Sequence, residues 1–474
     1  MDLTRSLGRV YDHRAKLFSS PAPTPKILQI RGRPSRRKEP VITARLQFAD
    51  DLFLRRHRGP GTPAINQFTW RFDQPVPEST VSRLHSALAK GALARRADRA
   101  TVPIARDRWS YSETSLSPHV EVEKISADSV VNWLRTRVRT DLDPHTGRGW
   151  QLSAATTSDG GGVLSLACAH AVADGAAMID AVVRANGGGP PLSAPVRPHL
   201  PAALLSDVAD ALAQVREVAT WAARAARRRR PAPATPATTR KPATPPEPAD
   251  PRWTVPHVIT ECATTALTEA ARRRGGSVNM LFATALARIA RTTSAPGADT
   301  VGVALPVSGR TEDDPRSNTT RIAAAAFASD ALADRDLAAI KQESKRAYRA
   351  LATRAQPPVA LALVQMLPDA VVRKLPQPPA ATVLASSLGA LPAQFREFDG
   401  LTATSVAATA HYPGIGPDEV ATIGRGVLGW LSTAGERTTI SVCGLDPAGI
   451  PDTARLAELV EAELVSWGIE TASW

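Results

Sequence analysis

The sequence predicts a mixed α/β or α+β protein organised as two lobes. Stretches with strand-like and helix-like periodicity are interspersed in both halves of the chain. A chain of 474 residues is too long for a single hydrophobic core. A proline-rich stretch at 229–256 separates the halves, and its prolines favour an extended, semi-rigid linker over helix or sheet.

Strands and helices alternate on both sides of this linker. The stretch NQFTWRFDQPVP places Phe68, Trp70 and Phe72 on one face, which predicts a half-buried strand. A helix is predicted over 78–96, where cap-forming residues precede an apolar repeat. In the second half the same criteria predict a helix over 277–291, strands over 299–307 and 438–444, and a helix over 452–468.

A further helix is predicted over 205–230, just before the linker. Its apolar residues recur at helical spacing from Val208 to Trp221, and its arginine-rich end suits the negative pole of the helix dipole. A surface helix packed on its own lobe is favoured here over a membrane anchor.

The formal net charge of +13 is concentrated in arginine-rich runs at 31–38, 55–59, 94–99 and 224–230. Such runs attract acidic proteins, anionic lipid or nucleic acid, or they form ordinary solvated faces. No zinc-finger spacing, RNP-like strand or basic heptad helix accompanies them, so the sequence does not predict nucleic-acid binding.

Cysteine usage and hydropathy favour a soluble cytoplasmic protein. Cys168, Cys262 and Cys443 are too far apart in sequence for a disulfide framework or a thiolate metal site. The first 20 residues lack the apolar core of a signal peptide, and no stretch is long and apolar enough to span a bilayer. Peripheral contact with a membrane is left open.

The stretch LACAHAVADGAAM holds the main candidate site. The run GVLSLACA predicts a covered strand that ends just before His170, and an apolar stripe predicts a helix that begins after Asp174, its N-cap. His170 therefore lies in a short strand-to-helix connection, where α/β proteins commonly expose functional side chains. Gly175 would let another group approach the backbone.

Two interpretations of His170 follow from the residues alone. An imidazole that titrates near neutrality can take a proton from an attacking hydroxyl or amine and return it to the leaving group, whereas the alternative is a hydrogen-bonded histidine near a helix start. Asp174 could orient the ring or stabilise the loop through an arginine. No other ligand cluster accompanies the pair, so no metal is predicted. Cys168 is interpreted as packing.

AHAVADG resembles the His-x-x-x-Asp-Gly signature of the chloramphenicol-acetyltransferase-like superfamily, which includes condensation domains, polyketide-associated acyltransferases and wax ester synthases/diacylglycerol acyltransferases. Three more segments match in order: SVNMLFATALARIAR, VALPVSGRTEDDPRSN with its Pro-Val-x-x-Arg pattern, and VLASSLGAL, which resembles a crossover strand. FADDLFLRRHRG resembles the opening segment of the wax-synthase branch.

The resemblance implies two related lobes, each a mixed sheet with flanking helices, and a substrate tunnel between them. The N-terminal lobe would cover 1–205, a helix and linker 206–256, and the C-terminal lobe 257–474, with the crossover strand near 381–390. His170 would be the general base and Asp174 a structural residue paired with Arg310. Substrate-binding positions would be Asn318, Ser386, Ser387 and Gly389, to which the Pro/Gly turn around His411 adds a further candidate.

The implied activity is transfer of an acyl group from a thioester to a hydroxyl or amine, without an acyl-enzyme. The donor would be acyl-coenzyme A or an acidic acyl carrier protein, so coenzyme A or phosphopantetheine enters as substrate and no resident cofactor is expected. Two alternatives stay open: an amide-forming, condensation-like enzyme, and a non-catalytic lipid-binding or scaffold homologue. Ala169, where many members carry a first histidine, and Ser387, in place of an Asn, depart from the family pattern.

Overall fold

The fold is given by a computed structural model. It describes residues 44–58, 61–138, 141–187, 189, 192, 194–227, 250–293, 298–353, 361–372 and 381–474. All of these residues belong to one compact unit. The predicted basic run at 31–38 and most of the predicted linker, residues 228–249, lie outside the described residues.

Strands occur in both halves of the described chain. In order they are β1 Ile65–Phe72, β2 Arg95–Asp98, β3 Arg108–Tyr111, β4 His119–Val120, β5 Trp150–Thr156, β6 Gly162–Ala169, β7 His257–Ala263, β8 Thr300–Val307, β9 Arg321–Ala328, β10 Val383–Ala390, β11 Glu397–Phe398, β12 Leu401–Thr402, β13 Ser405–His411, β14 Gly426–Ala434, β15 Arg437–Leu445 and β16 Ala472–Ser473.

Helices are interspersed with these strands, which confirms the predicted mixed α/β class. In order they are α1 Phe48–Arg58, α2 Glu78–Leu88, α3 Val130–Arg137, α4 Gly175–Ala185, α5 Leu200–Arg227, α6 Thr264–Arg273, α7 Val278–Thr293, α8 Ser329–Asp334, α9 Leu337–Thr353, α10 Leu361–Met366, α11 Asp369–Val372, α12 Ala393–Arg396, α13 Pro417–Ile423 and α14 Thr453–Val465.

The first sheet has five strands in the order β13-β1-β6-β5-β4. β1 pairs antiparallel with β6 on one side and with β13 on the other. Since β13 comes from the second half of the chain, it crosses over to complete the sheet of the first half. The sheet that carries the His170 loop is therefore built from both halves.

The second sheet has seven strands in the order β16-β7-β15-β14-β10-β8-β9. β10 lies inside it, parallel to both β14 and β8. The prediction of the crossover strand near 381–390 is therefore wrong: this segment is an interior strand of the second sheet, and β13 makes the crossing. A short apolar run has the same pattern in either sheet, so periodicity could not assign it.

Two further predictions differ from the structure. β1 is buried on both faces, because its polar side contacts α3: the Gln67 amide donates to the carbonyl oxygen of Leu134. The helix predicted over 78–96 ends at Leu88, and the segment after the turn at Gly91 forms β2. Glycine is unfavourable inside a helix, and here the chain leaves the helix just before it.

Helix α7 packs tightly onto the second sheet. A Cβ atom added to Gly429 of β14 would lie 2.5 Å from Leu286 Cδ1 of α7, so a larger residue here would require the side chains of α7 to shift. Leu286 and Phe282 are both buried in the core beneath this sheet. The predicted helix over 277–291 thus supplies the central packing element of the second half.

Buried ion pairs hold α5 to the protein. Asp207 is fully buried and accepts from Arg45, at 2.8 Å, and from Arg108. One turn later Asp210 pairs with Arg106 at 2.7 Å. The face that α5 turns inward is therefore acidic, and its attachment depends on paired charges.

We expect Asp207→Ala to lower the free energy of unfolding by about 3–5 kcal/mol, because it leaves buried guanidinium groups without their carboxylate. Urea denaturation measures this change. Glu217→Ala, at an exposed site on the same helix, is the matched control and should change stability by about 0.5 kcal/mol or less. Equal effects of the two substitutions would contradict this account of α5.

Candidate active site

His170 lies in the first turn after β6, as the sequence predicts. Its backbone N–H donates to the carbonyl oxygen of Ala64 at 2.9 Å, which extends the pairing of β6 with β1 by one residue. Asp174 caps α4 by accepting from the backbone N–H of Ala177 at 2.8 Å. Strand, loop and helix together fix the backbone of the His170 loop.

Asn318 determines which nitrogen of the neutral His170 imidazole carries the hydrogen. Its side-chain oxygen lies 3.0 Å from His170 Nδ1, while its amide nitrogen contacts only acceptors, the Asp50 carboxylate at 2.8 Å and the carbonyl oxygens of His170 and Ala171. The amide orientation is thus assigned from the network. Because an amide oxygen only accepts, Nδ1 of the neutral ring must carry the hydrogen, and the lone pair is on Nε2.

Asp50 of α1 stands behind Asn318 as a buried carboxylate. It also accepts from the backbone N–H of Gln47 at 2.9 Å and from the Trp109 indole at 3.2 Å. Burial raises the pKa of Asp50 to about 6, although the hydrogen bonds from Asn318, Gln47 and Trp109 act in the opposite direction. The chain Asp50–Asn318–His170 connects α1, the 310–320 segment and the His170 loop.

Phe53, one turn further along α1, stacks on the imidazole. The two ring centroids are 3.8 Å apart and the planes are inclined by 18°. Burial lowers the pKa of His170 below its ordinary value of 6.5, despite the opposing effects of its own backbone, Asp174 and Asn318. The ring is therefore neutral at physiological pH and able to accept a proton at Nε2.

The structure brings Asp174 and Arg310 together, with Arg310 Nη2 3.1 Å from Asp174 Oδ1. The backbone N–H groups of Thr319 and Thr320 donate to the other oxygen at 2.8 and 3.2 Å. Burial raises the pKa of Asp174, but Arg310 and the backbone donors outweigh that effect and hold it below its usual range. The hydrogen-bond partners of Asp174 are backbone groups, threonine hydroxyls and Arg310, and not the imidazole, so its contacts are those of a structural anchor.

Arg95 holds the loop that precedes Asn318. It is 4% exposed, and its guanidinium donates to Ser317 Oγ at 2.6 Å and to the carbonyl oxygen of Pro315 at 3.3 Å. Burial lowers the pKa of Arg95 to about 10, with Asp50 opposing that shift. The arginine run at 94–99, for which a solvated face was one interpretation, therefore includes a buried structural residue.

Strand β10 approaches the start of α4 through Leu388, which is not one of its predicted site residues. Leu388 reaches the start of α4, where a Cβ atom on Gly175 would lie 3.4 Å from Leu388 Cδ2, an ordinary contact. Ser387 donates to Asn279 Oδ1 at 2.8 Å, and Gly389 has φ 68° at a register shift between β10 and β14. Ser386 is half-buried on the same strand. His170 is hydrogen-bonded to Asn318 and not to these residues of β10.

His411 is not brought to His170. Its Nε2 lies 2.8 Å from Gln67 Oε1, and its ring packs edge-on against His257 at 4.7 Å. Alternation along β1 places Gln67 on the sheet face opposite Asn66, whose amide donates to the carbonyl oxygen of Ala173 in the His170 loop. His411 instead lines a separate cavity of about 350 Å³. Burial lowers its pKa well below 6.5.

Cys168 is fully buried, and burial raises the pKa of its thiol to about 12, which agrees with its interpretation as packing. Among the described residues, no group of three or more His, Cys, Asp or Glu side chains could hold a metal ion.

Sequence reasoning missed Asp50, Phe53 and Trp109 as site residues. The segment FADDLFLRRHRG, which resembles the opening segment of the wax-synthase branch, contains two of them. Asp50 and Phe53 are three positions apart, so on a helix they lie on one face. This spacing is a weak indication that the two side chains belong to one site.

We expect Asp50→Asn to change how stability depends on pH. Because the pKa of Asp50 is higher in the folded protein than its ordinary 3.8, its contribution to stability is present below pH 3.8 and is lost as the pH rises through about 6. The unfolding free energy of the native protein minus that of the variant should fall by on the order of 3 kcal/mol between about pH 4 and about pH 8.

Urea denaturation at a series of pH values measures this difference. Asp334→Asn, at an exposed position, controls for the loss of one carboxylate. A stability difference between native protein and Asp50→Asn that does not vary with pH would show that Asp50 is not perturbed in this way.

Comparison with protein-family models gives no match, and comparison with curated proteins gives none either. Solved structures do match. The first condensation domain of the calcium-dependent antibiotic synthetase, in complex with a substrate analogue, has a TM-score of 0.53 at 16% identity, covering 90% of this chain and 96% of that one.

Two further solved structures match to a similar extent. The wax ester synthase/diacylglycerol acyltransferase from Marinobacter aquaeolei has a TM-score of 0.52 at 13% identity, covering 89% of this chain and 98% of its own. Polyketide synthase associated protein 5 from Mycobacterium tuberculosis has a TM-score of 0.51 at 14% identity, with coverage of 89% and 98%. The resemblance in the sequence is thus confirmed at the level of fold: the chain has the two-lobed fold of condensation domains and wax ester synthases.

Proposed function

We propose that this protein is an acyltransferase that moves an acyl group from a thioester to a hydroxyl or amine, with His170 as general base. The observation that carries the proposal is the contact of His170 Nδ1 with Asn318 Oδ1 at 3.0 Å. This contact leaves the Nε2 lone pair available on a ring whose pKa is held below 6.5 by burial. To take a proton from the hydroxyl or amine that receives the acyl group, the imidazole must be neutral and correctly oriented.

The chemistry needs no covalent enzyme intermediate. Nε2 accepts the proton as the acceptor's oxygen or nitrogen attacks the thioester carbonyl, and a tetrahedral intermediate forms. Its collapse breaks the carbon–sulfur bond, and the imidazolium returns the proton to the thiolate that leaves. During this cycle Asn318 Oδ1 accepts from Nδ1–H and so stabilises the positive ring. Asp50 accepts a hydrogen bond from the Asn318 amide and acts on the imidazole only through Asn318, so it is a positioning residue.

We expect His170→Ala to lower kcat by about 10²–10⁴, because the general base is lost. Release of free thiol from acyl-coenzyme A, in the presence of a panel of alcohols and amines, is the measurement. His199→Ala, at an exposed histidine, is the matched control and should keep full activity. Full activity of a folded His170→Ala protein would refute the assignment.

The donor can be determined in the same assay. The same acyl group is offered on free coenzyme A and on an acidic acyl carrier protein, at low and at high salt. A preference for the carrier-bound donor that disappears at high salt would indicate a charge-guided carrier-protein partner. Bound acyl species in the purified protein without any turnover would instead favour the non-catalytic, lipid-binding alternative.

The lowered pKa of His170 predicts the pH profile of kcat/KM. The base must be unprotonated, so the acidic limb should lie below pH 6.5, the ordinary value. Phe53→Ala removes the ring stacked on the imidazole and admits water, so it should move the limb upward, towards 6.5. An acidic limb at or above 6.5 in the native enzyme would contradict the geometry.

A further inference from the structure

Helix α5 exposes a stripe of large apolar side chains. The stripe consists of Leu204, Leu205, Val208, Leu212 and Val215, of which Leu205 and Leu212 are 73% and 66% exposed. Leu200 extends it at the start of the helix and is 79% exposed. Contiguous exposed apolar surface on a soluble protein commonly marks an interaction site. These residues include part of the repeat that predicted the helix, but they do not pack on the lobe.

The buried ion pairs determine which way α5 faces. Asp207 and Asp210 point inward to Arg45, Arg106 and Arg108, and this attachment fixes the rotation of the helix about its axis. Turning the apolar stripe inward would remove these carboxylates from buried guanidinium groups, at a cost of several kcal/mol. The exposure of the stripe is therefore imposed by the fold.

The apolar surface continues towards the candidate active site. Helix α10 packs between α5 and α1. It exposes Leu361 and Leu363 in part, and neighbouring α1 exposes Leu52. The next residue of α1, Phe53, stacks on His170. We call α5 together with these leucines of α10 and α1 the apolar surface.

The exposed charge of α5 is mainly cationic and follows the stripe towards the C-terminal end of the helix. Arg216, Arg224 and Arg227 are exposed, whereas Asp207 and Asp210 are paired inside. Glu217 is the remaining acidic residue of α5, and three more arginines follow in the sequence at 228–230. Apolar side chains beside exposed arginines are the composition of helices that lie on anionic lipid surfaces.

We propose that the apolar surface docks on an anionic membrane, with the α5 stripe entering the interface and its arginines contacting lipid headgroups. A second copy of this chain would bring the same cationic helix against itself, and like charges oppose that pairing. No described helix is long and apolar enough to cross a membrane, so the contact is peripheral. This inference goes beyond the proposed function and does not depend on it.

The test is co-sedimentation of the full chain with vesicles of phosphatidylcholine alone and of phosphatidylcholine mixed with phosphatidylglycerol. We expect binding to the anionic vesicles, and binding should weaken when salt is added. Leu205→Ser with Leu212→Ser should weaken it at least about tenfold, since each leucine loses the free energy of burial in the interface. Arg224→Gln with Arg227→Gln should also weaken it.

A matched control changes exposed valines outside the apolar surface, Val122→Ser with Val465→Ser, and should bind as the native protein does. Thiol release from a water-soluble acyl-coenzyme A should be the same in the double-leucine variant as in the native protein. Failure of this docking proposal therefore leaves the acyltransferase proposal intact.

Three results would overturn the docking proposal. The first is absence of binding by the native protein, and the second is equal binding by the native protein and the double-leucine variant. The third is a lower melting temperature or an altered oligomeric state in that variant, which would show that the stripe packs on another part of this chain or on a second copy.

Discussion

The candidate site depends on the burial of one carboxylate, that of Asp174. A buried charge is costly unless it is paired and hydrogen-bonded. Asp174 meets this requirement with one donor from its own helix and with Arg310, Thr319 and Thr320 from the second half of the chain. The carboxylate thus holds the 310–320 segment against the His170 loop. Asn318 lies within that segment, so the ion pair that anchors the loop also brings the side chain that orients the imidazole.

Local signals made the first part of this arrangement predictable. The strand before His170 and the helix after Asp174 follow from apolar periodicity and an N-cap, which act over a few residues. The contact between Asp50 and Asn318 spans 268 positions in the sequence, and periodicity carries no information about it. The same limit explains the crossover: β10 and β13 are both short apolar runs, and only the three-dimensional pairing shows which of them joins the first sheet. The family resemblance predicted the pairing of Asp174 with Arg310, which sequence spacing alone does not indicate.

Among the described residues, the arginines that make the chain basic include a buried group and an exposed group. Arg45, Arg95 and Arg108 are buried and serve as donors to carboxylates, a hydroxyl or backbone carbonyls. Arg45 and Arg108 neutralise the buried Asp207, whereas Arg95 donates to a hydroxyl and to backbone carbonyls. The arginines near the end of α5 are exposed and contribute to the field that a partner or a membrane experiences. A count of charges in the sequence cannot separate these two groups, because burial depends on tertiary contacts.

Helix α1 connects the outer surface to the candidate site. On one side of α1, the Arg55 guanidinium donates hydrogen bonds to the carbonyl oxygens of Gln365 and Leu367 and pairs with Asp369. These bonds fasten α1 to α10 and α11. On its other side α1 carries Asp50 and Phe53, which contact Asn318 and His170. A displacement of α10 would therefore act on α1, the helix that carries the ring stacked on the imidazole. The Phe53 ring helps to exclude water from His170. The basicity of Nε2 therefore depends on the positions of α10 and α1.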